Sequence, residues 1–339
     1  MNSFGKLFRV HIFGESHGNC VGIVIDGCPA GLPLNESDFV ADIARRKPGA
    51  KGTTPRLEED LPILQNGVFN GFTTGAPLTI IFQNNNTRST DYEKQRAVPR
   101  PGHADFVAMN KFGGYEDYRG GGHFSGRLTL CLVAAGVVAK KILAQIKNDQ
   151  PIAIHANILS IGGETDVEKG LQKAIDAKDT IGGIIECIAS GIPIGLGAPF
   201  FDSAESLLSH IVFAIPAVKG IEFGSGFAAS NMFGSEHNDA LADSSGKTFT
   251  NHSGGITGGI TNGNDLVFRI AIKPTSSTPK NQETLNLASG KVESFSVKGR
   301  HDLCIALRVP VVLEAVTAVV ITDLLMMENK IERIINHSN

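Results

Sequence analysis

Arginine, histidine and glycine crowd into one stretch of this sequence. Residues 100–127 read RPGHADFVAMNKFGGYEDYRGGGHFSGR, setting Arg100, Arg119, Arg127, His103 and His123 among Gly113, Gly114, Gly120, Gly121, Gly122 and Gly126. A guanidinium is a planar fork of donors that matches carboxylate and phosphate, and it stays charged at any working pH. Imidazole is the side chain whose ordinary titration lies nearest neutrality. Consecutive glycines carry an entropic cost, which a chain bears where its backbone must come close to something else. Together these residue types describe an anion pocket with a proton-transfer group inside it. The alternative is a solvated turn with scattered surface charge. Two distant stretches, GESHG at 14–18 and GRHD at 299–302, repeat the chemistry and weigh against that alternative.

The elements that must position these residues follow from pattern. Residues 7–13 alternate like a strand running into GESHG, and Cys20–Asp26 reads as the next strand. Residues 37–46 form an amphipathic helix, with Ser37 able to cap its start and Arg45 and Arg46 complementing its C-terminal dipole. The charged loop after it, 47–60, fits either a solvated surface loop or a basic flap over the anion pocket. Residues 68–72 and 77–82 suggest paired strands. The run LTLCLVAAGVVAKKIL after Arg127 is apolar on nearly every side, as is PVVLEAVTAVVITDLLMM after Arg308, and such helices are buried all round. Strands are expected at 152–161, 181–189 and Leu266–Ile272, with helices over Val167–Ala177 and 207–213. Each half thus carries a glycine, arginine and histidine turn leading into a buried helix. No linker-like segment separates them, and strand and helix alternate too irregularly for a barrel or a doubly wound sheet. The expected architecture is one α+β domain spanning 1–339, with helices between sheets.

Composition narrows the function classes. At 339 residues, 42% apolar and 19% charged, the chain is an ordinary globular protein with ample core. Its 39 glycines, absent tryptophan and 3 tyrosines mark many loops or close backbone approaches. A net charge of −3 argues against a general nucleic-acid binder. Cys20, Cys28, Cys131, Cys187 and Cys304 are scattered without a C-x-x-C pair, which fits reduced thiols in a cytosol and no structural zinc. The N-terminus lacks a signal-peptide apolar region, and the apolar runs 128–139 and 309–320 are too short to span a bilayer. Gly224, Gly226 and Ala229 match a dinucleotide fingerprint in form but open no helix. Gly246-Lys247-Thr248 ends like a Walker loop, but Leu241 stands where the first glycine belongs. His210, His237 and His252 lack metal-ligand spacing, and no metal is expected.

Six separated motifs now fall into one order: GESHG (14–18), RPGHAD (100–105), YRGGG (118–122), NHSGGITGGI (251–260), KPTSS (273–277) and GRHD (299–302). Over essentially the whole chain they resemble the chorismate synthase family. The resemblance implies a β-α-β sandwich with buried central helices between antiparallel sheets, assembled as a homotetramer. It implies a phosphate lyase that turns 5-enolpyruvylshikimate 3-phosphate into chorismate by anti-1,4 elimination, with reduced FMN required and not consumed. His17 and His103 resemble the family's proton-handling histidines, and Asp302 the aspartate that assists removal of the ring proton. Arg46, Arg100, Arg127 and Arg300 resemble the clamp for substrate, with Arg45 adjacent. The FMN contacts implied are His123, Phe124, Ser125, Pro216, Ala217, Gly258, Lys273, Pro274, Thr275, Ser276 and Ser277, with Arg46 and Arg300 shared. NADPH enters only as a reductant, and a separate flavin reductase is expected to supply reduced FMN in the cytoplasm. The chain departs from the family pattern at His123, where arginine is common, and at Lys47, Gly52 and Leu303. A flavin oxidoreductase and a non-catalytic anion module are the other classes. Stoichiometry separates the first, and the second leaves His17, His103 and Asp302 unexplained.

Overall fold

The protein is described from a computed structural model covering residues 2–49, 51–53, 59–85, 96–146, 150–297 and 301–335. Two antiparallel sheets form its outer layers. The first joins β1 (Ser3–Phe4), β2 (Arg9–Gly14), β3 (Cys20–Asp26), β7 (Leu78–Gln83) and β4 (Ile63–Asn66), in that order. A small hairpin, β5 (Val68–Phe69) and β6 (Phe72–Thr73), lies between β4 and β7 in the chain. The second sheet orders β10 (Val218–Phe223), β13 (Leu266–Ile272), β9 (Gly183–Ser190) and β8 (Ala153–Ile161). Hairpins β11 (Ile256–Thr257) with β12 (Ile260–Thr261), and β14 (Gln282–Asn286) with β15 (Lys291–Phe295), stand outside both sheets. In β13 buried and half-buried residues alternate strictly, the period of a strand with one face on the core.

Between the sheets lie α1 (Val40–Arg46), α3 (Thr129–Leu143), α5 (Ala204–Val212) and α7 (Pro310–Met327); further helices are α2 (Asp105–Phe112), α4 (Val167–Ala177) and the single turn α6 (Gly234–His237). α3 packs on β2, β3 and β7, α7 on β8 and β9, and the two helices pack on each other. The expected α+β sandwich with buried central helices between antiparallel sheets is what forms. The apolar run in α7 extends to 18 residues with mean hydropathy 1.9, long enough by length alone to cross a membrane, so the expected dozen was short. Here 89% of it is buried inside the chain's own fold.

A helix buried on every side still carries charge, and each charge has partners. Glu314 of α7 accepts from Arg45 Nη1 and Nη2 (2.6 and 2.7 Å), from Lys140 (3.0 Å) and from the Ala156 amide (3.1 Å). Asp323 accepts from the amides of Lys6, Leu7 and Phe8 (2.8, 2.7 and 2.8 Å), tying the N-terminal turn to α7. Helix starts also differ from expectation. Asn35, not Ser37, caps the 37–46 region: its side chain accepts from the Ser37 amide at 3.0 Å, while Asp38 takes the Asn35 amide at 2.9 Å. A 3₁₀ turn, Glu36–Phe39, precedes α1, because the residue that can reach back lies two positions earlier.

At Gly136 α3 packs directly against α7. A Cβ there would stand 2.2 Å from the Ala315 Cβ, with backbone of the facing helix just behind it. Gly136→Ala should therefore lower the melting temperature by a few degrees, since overpacking a tight core costs about 1–3 kcal/mol. An unchanged melting temperature in calorimetry would show that the two helices separate without cost.

Candidate active site

The glycine loop is shaped by backbone that side chains forbid. Gly120, Gly121 and Gly122 have φ of +59°, +83° and +52°, all left-handed. A Cβ at Gly120 would meet the His17 ring at 2.2 Å, and one at Gly122 would meet the Asp117 carbonyl oxygen at 1.9 Å. The space they leave lets this loop dock on GESHG. The Ser16 amide donates to the Gly122 carbonyl (3.1 Å), and His123 Nδ1 donates to the Gly14 carbonyl (2.8 Å). The chain then passes Ser125, whose Oγ accepts from the Arg127 amide at 3.3 Å, and enters α3.

Two adjoining cavities open from this loop. The larger, about 610 Å³, has apolar walls from Val10, Ile12, Leu132 and Ile211. His123, Phe124 and Ser125 of the glycine loop also line it, with Pro216 and Ala217. Lys273, Pro274, Thr275, Ser276 and Ser277 close the opposite side. Lys273 Nζ and Ser276 Oγ both donate to the Gly102 carbonyl (2.6 and 2.8 Å), binding KPTSS to RPGHAD. Burial, then nearby Lys219, pushes the Lys273 ammonium below its ordinary value. Thr275 lines both cavities, and its Oγ1 is enclosed without a hydrogen-bond partner.

The smaller cavity, about 240 Å³, is cationic. Arg46, Arg100, Arg127 and Arg308 line it, against Asp60 and Asp302 among the described residues. Each guanidinium is held from behind. Arg46 donates to Thr129 Oγ1 (2.9 Å) and to the carbonyls of Gly126 and Arg127 (3.0 and 3.2 Å). Arg127 donates to Asp60 Oδ1 (2.8 Å) and the Gln83 carbonyl (3.2 Å). Arg308 bridges Asp302 Oδ2 (3.2 Å) and the Arg46 carbonyl (3.0 Å). Burial, then the Arg308 charge, pushes the Arg46 guanidinium down to about 9 against the pull of Asp60, so it stays charged at neutral pH. Unbalanced positive charge in a confined space makes an anion the fitting occupant.

The expected residues divide accordingly. His103 lines the larger cavity, Asp302 the smaller, and Arg100 both. His17 is buried behind Gly120, with Ser16 Oγ 3.3 Å from its Nδ1. Arg46 lines only the smaller cavity, since its donors cap the entry to α3. Arg45 lines neither, because the buried carboxylate of Glu314 takes its guanidinium. Gly258 also lines neither; it turns the β11–β12 hairpin at φ +63° with open space where a Cβ would be. Arg300 and part of the 47–60 flap, residues 50 and 54–58, lie outside the described residues. Sequence reasoning missed Asp60 and Arg308, which both line the smaller cavity. Arg308 sat in plain view before the second buried helix, in the place Arg127 holds before the first.

Helices between antiparallel sheets, with a cationic lobe opening into an apolar one, describe an enzyme fold that can set a polyanion against a flat apolar group. A profile of the chorismate synthase family matches residues 8–326. The chain is 67% identical over 334 residues to chorismate synthase of Chitinophaga pinensis, covering 98% of this chain and 99% of that one. It is 43% identical over an alignment of 364 residues to chorismate synthase of Dehalococcoides mccartyi, covering 98% and 99%. A crystal structure of a chorismate synthase superposes with a TM-score of 0.71 at 25% identity, covering 96% of this chain and 93% of that one. The chain belongs to the chorismate synthase family, a family of flavin-using lyases.

The cationic lobe yields a direct test. Inorganic phosphate, compared with sodium chloride at equal ionic strength, should raise the melting temperature saturably, a bound ligand adding about 2.7 kcal/mol at a hundredfold excess over its Kd. Arg308→Gln should shrink the rise. No rise, or an equal rise in both proteins, would contradict the charge assignment.

Proposed function

We propose that the chain eliminates phosphate from 5-enolpyruvylshikimate 3-phosphate to give chorismate, in aromatic amino-acid biosynthesis, with FMN in the larger cavity and substrate in the smaller. One observation carries this reading: the apolar and arginine-lined lobes share a wall at Gly120, Ser125 and Thr275, so occupants of the two would touch. The residues present fit a flavin nucleotide. The space is ample, the walls are apolar, and Thr275, which lines both cavities, carries a hydroxyl with no protein partner, a state uncommon in folded proteins. Lys273, Ser276 and Ser277 offer an ammonium and hydroxyls suited to its polar edge.

When bound in reduced form, FMN supplies the electron density that an allylic phosphate needs to leave without an activating carbonyl. The chain's own residues do the rest. Arg46, Arg127 and Arg308 come pre-oriented by their protein partners, so little side-chain freedom is lost when they take the substrate's carboxylates and phosphate. Ile215, Ile305, Val309 and Val312 also line the smaller cavity, and their apolar surface thins the water around those contacts and strengthens them. His103, on the rim of the larger cavity, exchanges a proton with the reacting groups. Asp302, steadied by Arg308, receives the ring hydrogen as a proton. His17 lies behind the glycine loop, where it supports the loop and reaches the chemistry only through it. NADPH serves only upstream, through a separate reductase in the cytoplasm. Assembly as a homotetramer would follow from the family, and Phe200, Phe201, Phe227 and Phe233, exposed in the single chain, are apolar surface that contact between copies could cover.

Under anaerobic conditions with pre-reduced FMN, each chorismate formed should release one phosphate and leave the flavin reduced; flavin oxidised in step with product would mean an oxidoreductase instead. Asp302→Asn should slow turnover and enlarge the isotope effect from deuterium at the departing ring position. Near-normal turnover with an unchanged isotope effect removes Asp302 from the reaction.

A further inference from the structure

His103 and Asp105 flank the turn that opens α2, and their side chains meet. His103 Nδ1 lies 2.6 Å from Asp105 Oδ1. Arg100 Nη2 lies 3.1 Å from the same nitrogen, but a guanidinium only donates and Nδ1 cannot accept from it while donating to the carboxylate. Asp105 settles the choice. Arg100 grips it with Nε to Oδ2 and Nη2 to Oδ1, both 2.7 Å, and with its own backbone amide at 3.1 Å. Burial alone would favour the neutral acid, but the donors of Arg100 and His103 outweigh it and hold the carboxyl well below the usual carboxylate range. An ionised carboxylate accepts and never donates, so Nδ1 carries the hydrogen.

Nε2 is then the nitrogen that gains or loses a proton. Among the described residues nothing hydrogen-bonds it. It lies against the glycine loop, 3.3 Å from where a Cβ at Gly121 would stand, and the ring lines the larger cavity. We propose that Asp105 is a positioning residue for the reaction: it fixes His103 as the Nδ1–H tautomer, presents Nε2 to the bound ligands and balances the imidazolium when Nε2 takes a proton. The role in turnover rests on reading His103 as the proton-exchanging group, while the tautomer does not.

The charged groups around the ring pull both ways. Arg100 on the same turn and Lys273 at the end of β13 disfavour a protonated imidazole, as does His123 of the glycine loop when charged. Asp105, with Glu116 and Asp117 across the narrow recess on the ring's other side, favours it. Arg119 neutralises Asp117 through two contacts of 2.8 Å, and Asp105 is the carboxylate that touches the ring.

Imidazole nitrogen NMR of the intact protein, with the His103 signals identified by their loss in His103→Gln, should show the neutral ring protonated on Nδ1. Protonation on Nε2 would overturn the proposal. Asp105→Asn keeps an acceptor in place but removes its charge. The limb of the pH–rate profile that disappears in His103→Gln should move to lower pH by about one unit or more, with kcat falling further than KM changes. A limb at its wild-type position overturns the role in turnover. If Asp105→Asn fails to fold, with Arg100 left unpaired, the wild-type tautomer still decides. Normal turnover in His103→Gln would instead refute the reading of His103 and leave the tautomer measurement intact.

Discussion

The crossing of α3 and α7 at Gly136 and Ala315 governs the rest of the structure. Both helices begin at the site: Arg127 and Thr129 lead into α3, and Arg308 and Val309 into α7. Their separation sets the distance between the glycine loop and the turn holding Asp302. A side chain at 136 would push apart two helix starts that Arg46 and Arg308 bind together. The crossing also explains the sheets, because two helices apolar on every face need cover on both sides, and an antiparallel sheet supplies each cover. Glu314 holds the register. Its carboxylate joins α1, α3 and β8 to α7, and with any of those partners lost a buried charge would be left short.

Electrostatics then divide the space the helices create. The smaller lobe gathers guanidiniums whose backs are bound to carbonyls and to Asp60, so their positions are fixed before a ligand arrives. The larger lobe joins apolar strand and helix residues such as Val10, Ile12, Leu132 and Ile211 to the polar residues of the glycine loop and KPTSS. Glycine makes the junction possible. The left-handed turn of Gly120 to Gly122 lets backbone, instead of side chains, form the partition between the lobes and the GESHG segment behind.

Much of this was legible in the sequence where a local rule decides the outcome. Strands Cys20–Asp26 and Leu266–Ile272 and helix Val167–Ala177 have the bounds their periodicity predicts. The two central helices announced themselves by lacking a polar face. KPTSS and Gly120 of YRGGG fall on one cavity because close backbone approach and hydroxyl donors are local properties. Contacts made across the fold were not legible. Arg45 looks like a clamp residue beside Arg46, yet the two sit on different faces of α1; one reaches Glu314 and the other caps α3. Asp60 belongs to Arg127, 67 positions later, and no spacing rule pairs them. The edge elements β1, β4 and α2 carry too few buried residues for a pattern to show.

If the two lobes are one site, an occupant of the smaller must be felt in the larger through Gly120, Ser125 and Thr275. The most direct measurement is the Kd of oxidised FMN by fluorescence titration, alone and with saturating 5-enolpyruvylshikimate 3-phosphate. A shared wall predicts tighter flavin binding with substrate present, by about tenfold or more, equivalent to about 1.4 kcal/mol. Equal affinities in the two titrations would contradict a single site built at the starts of two crossing helices.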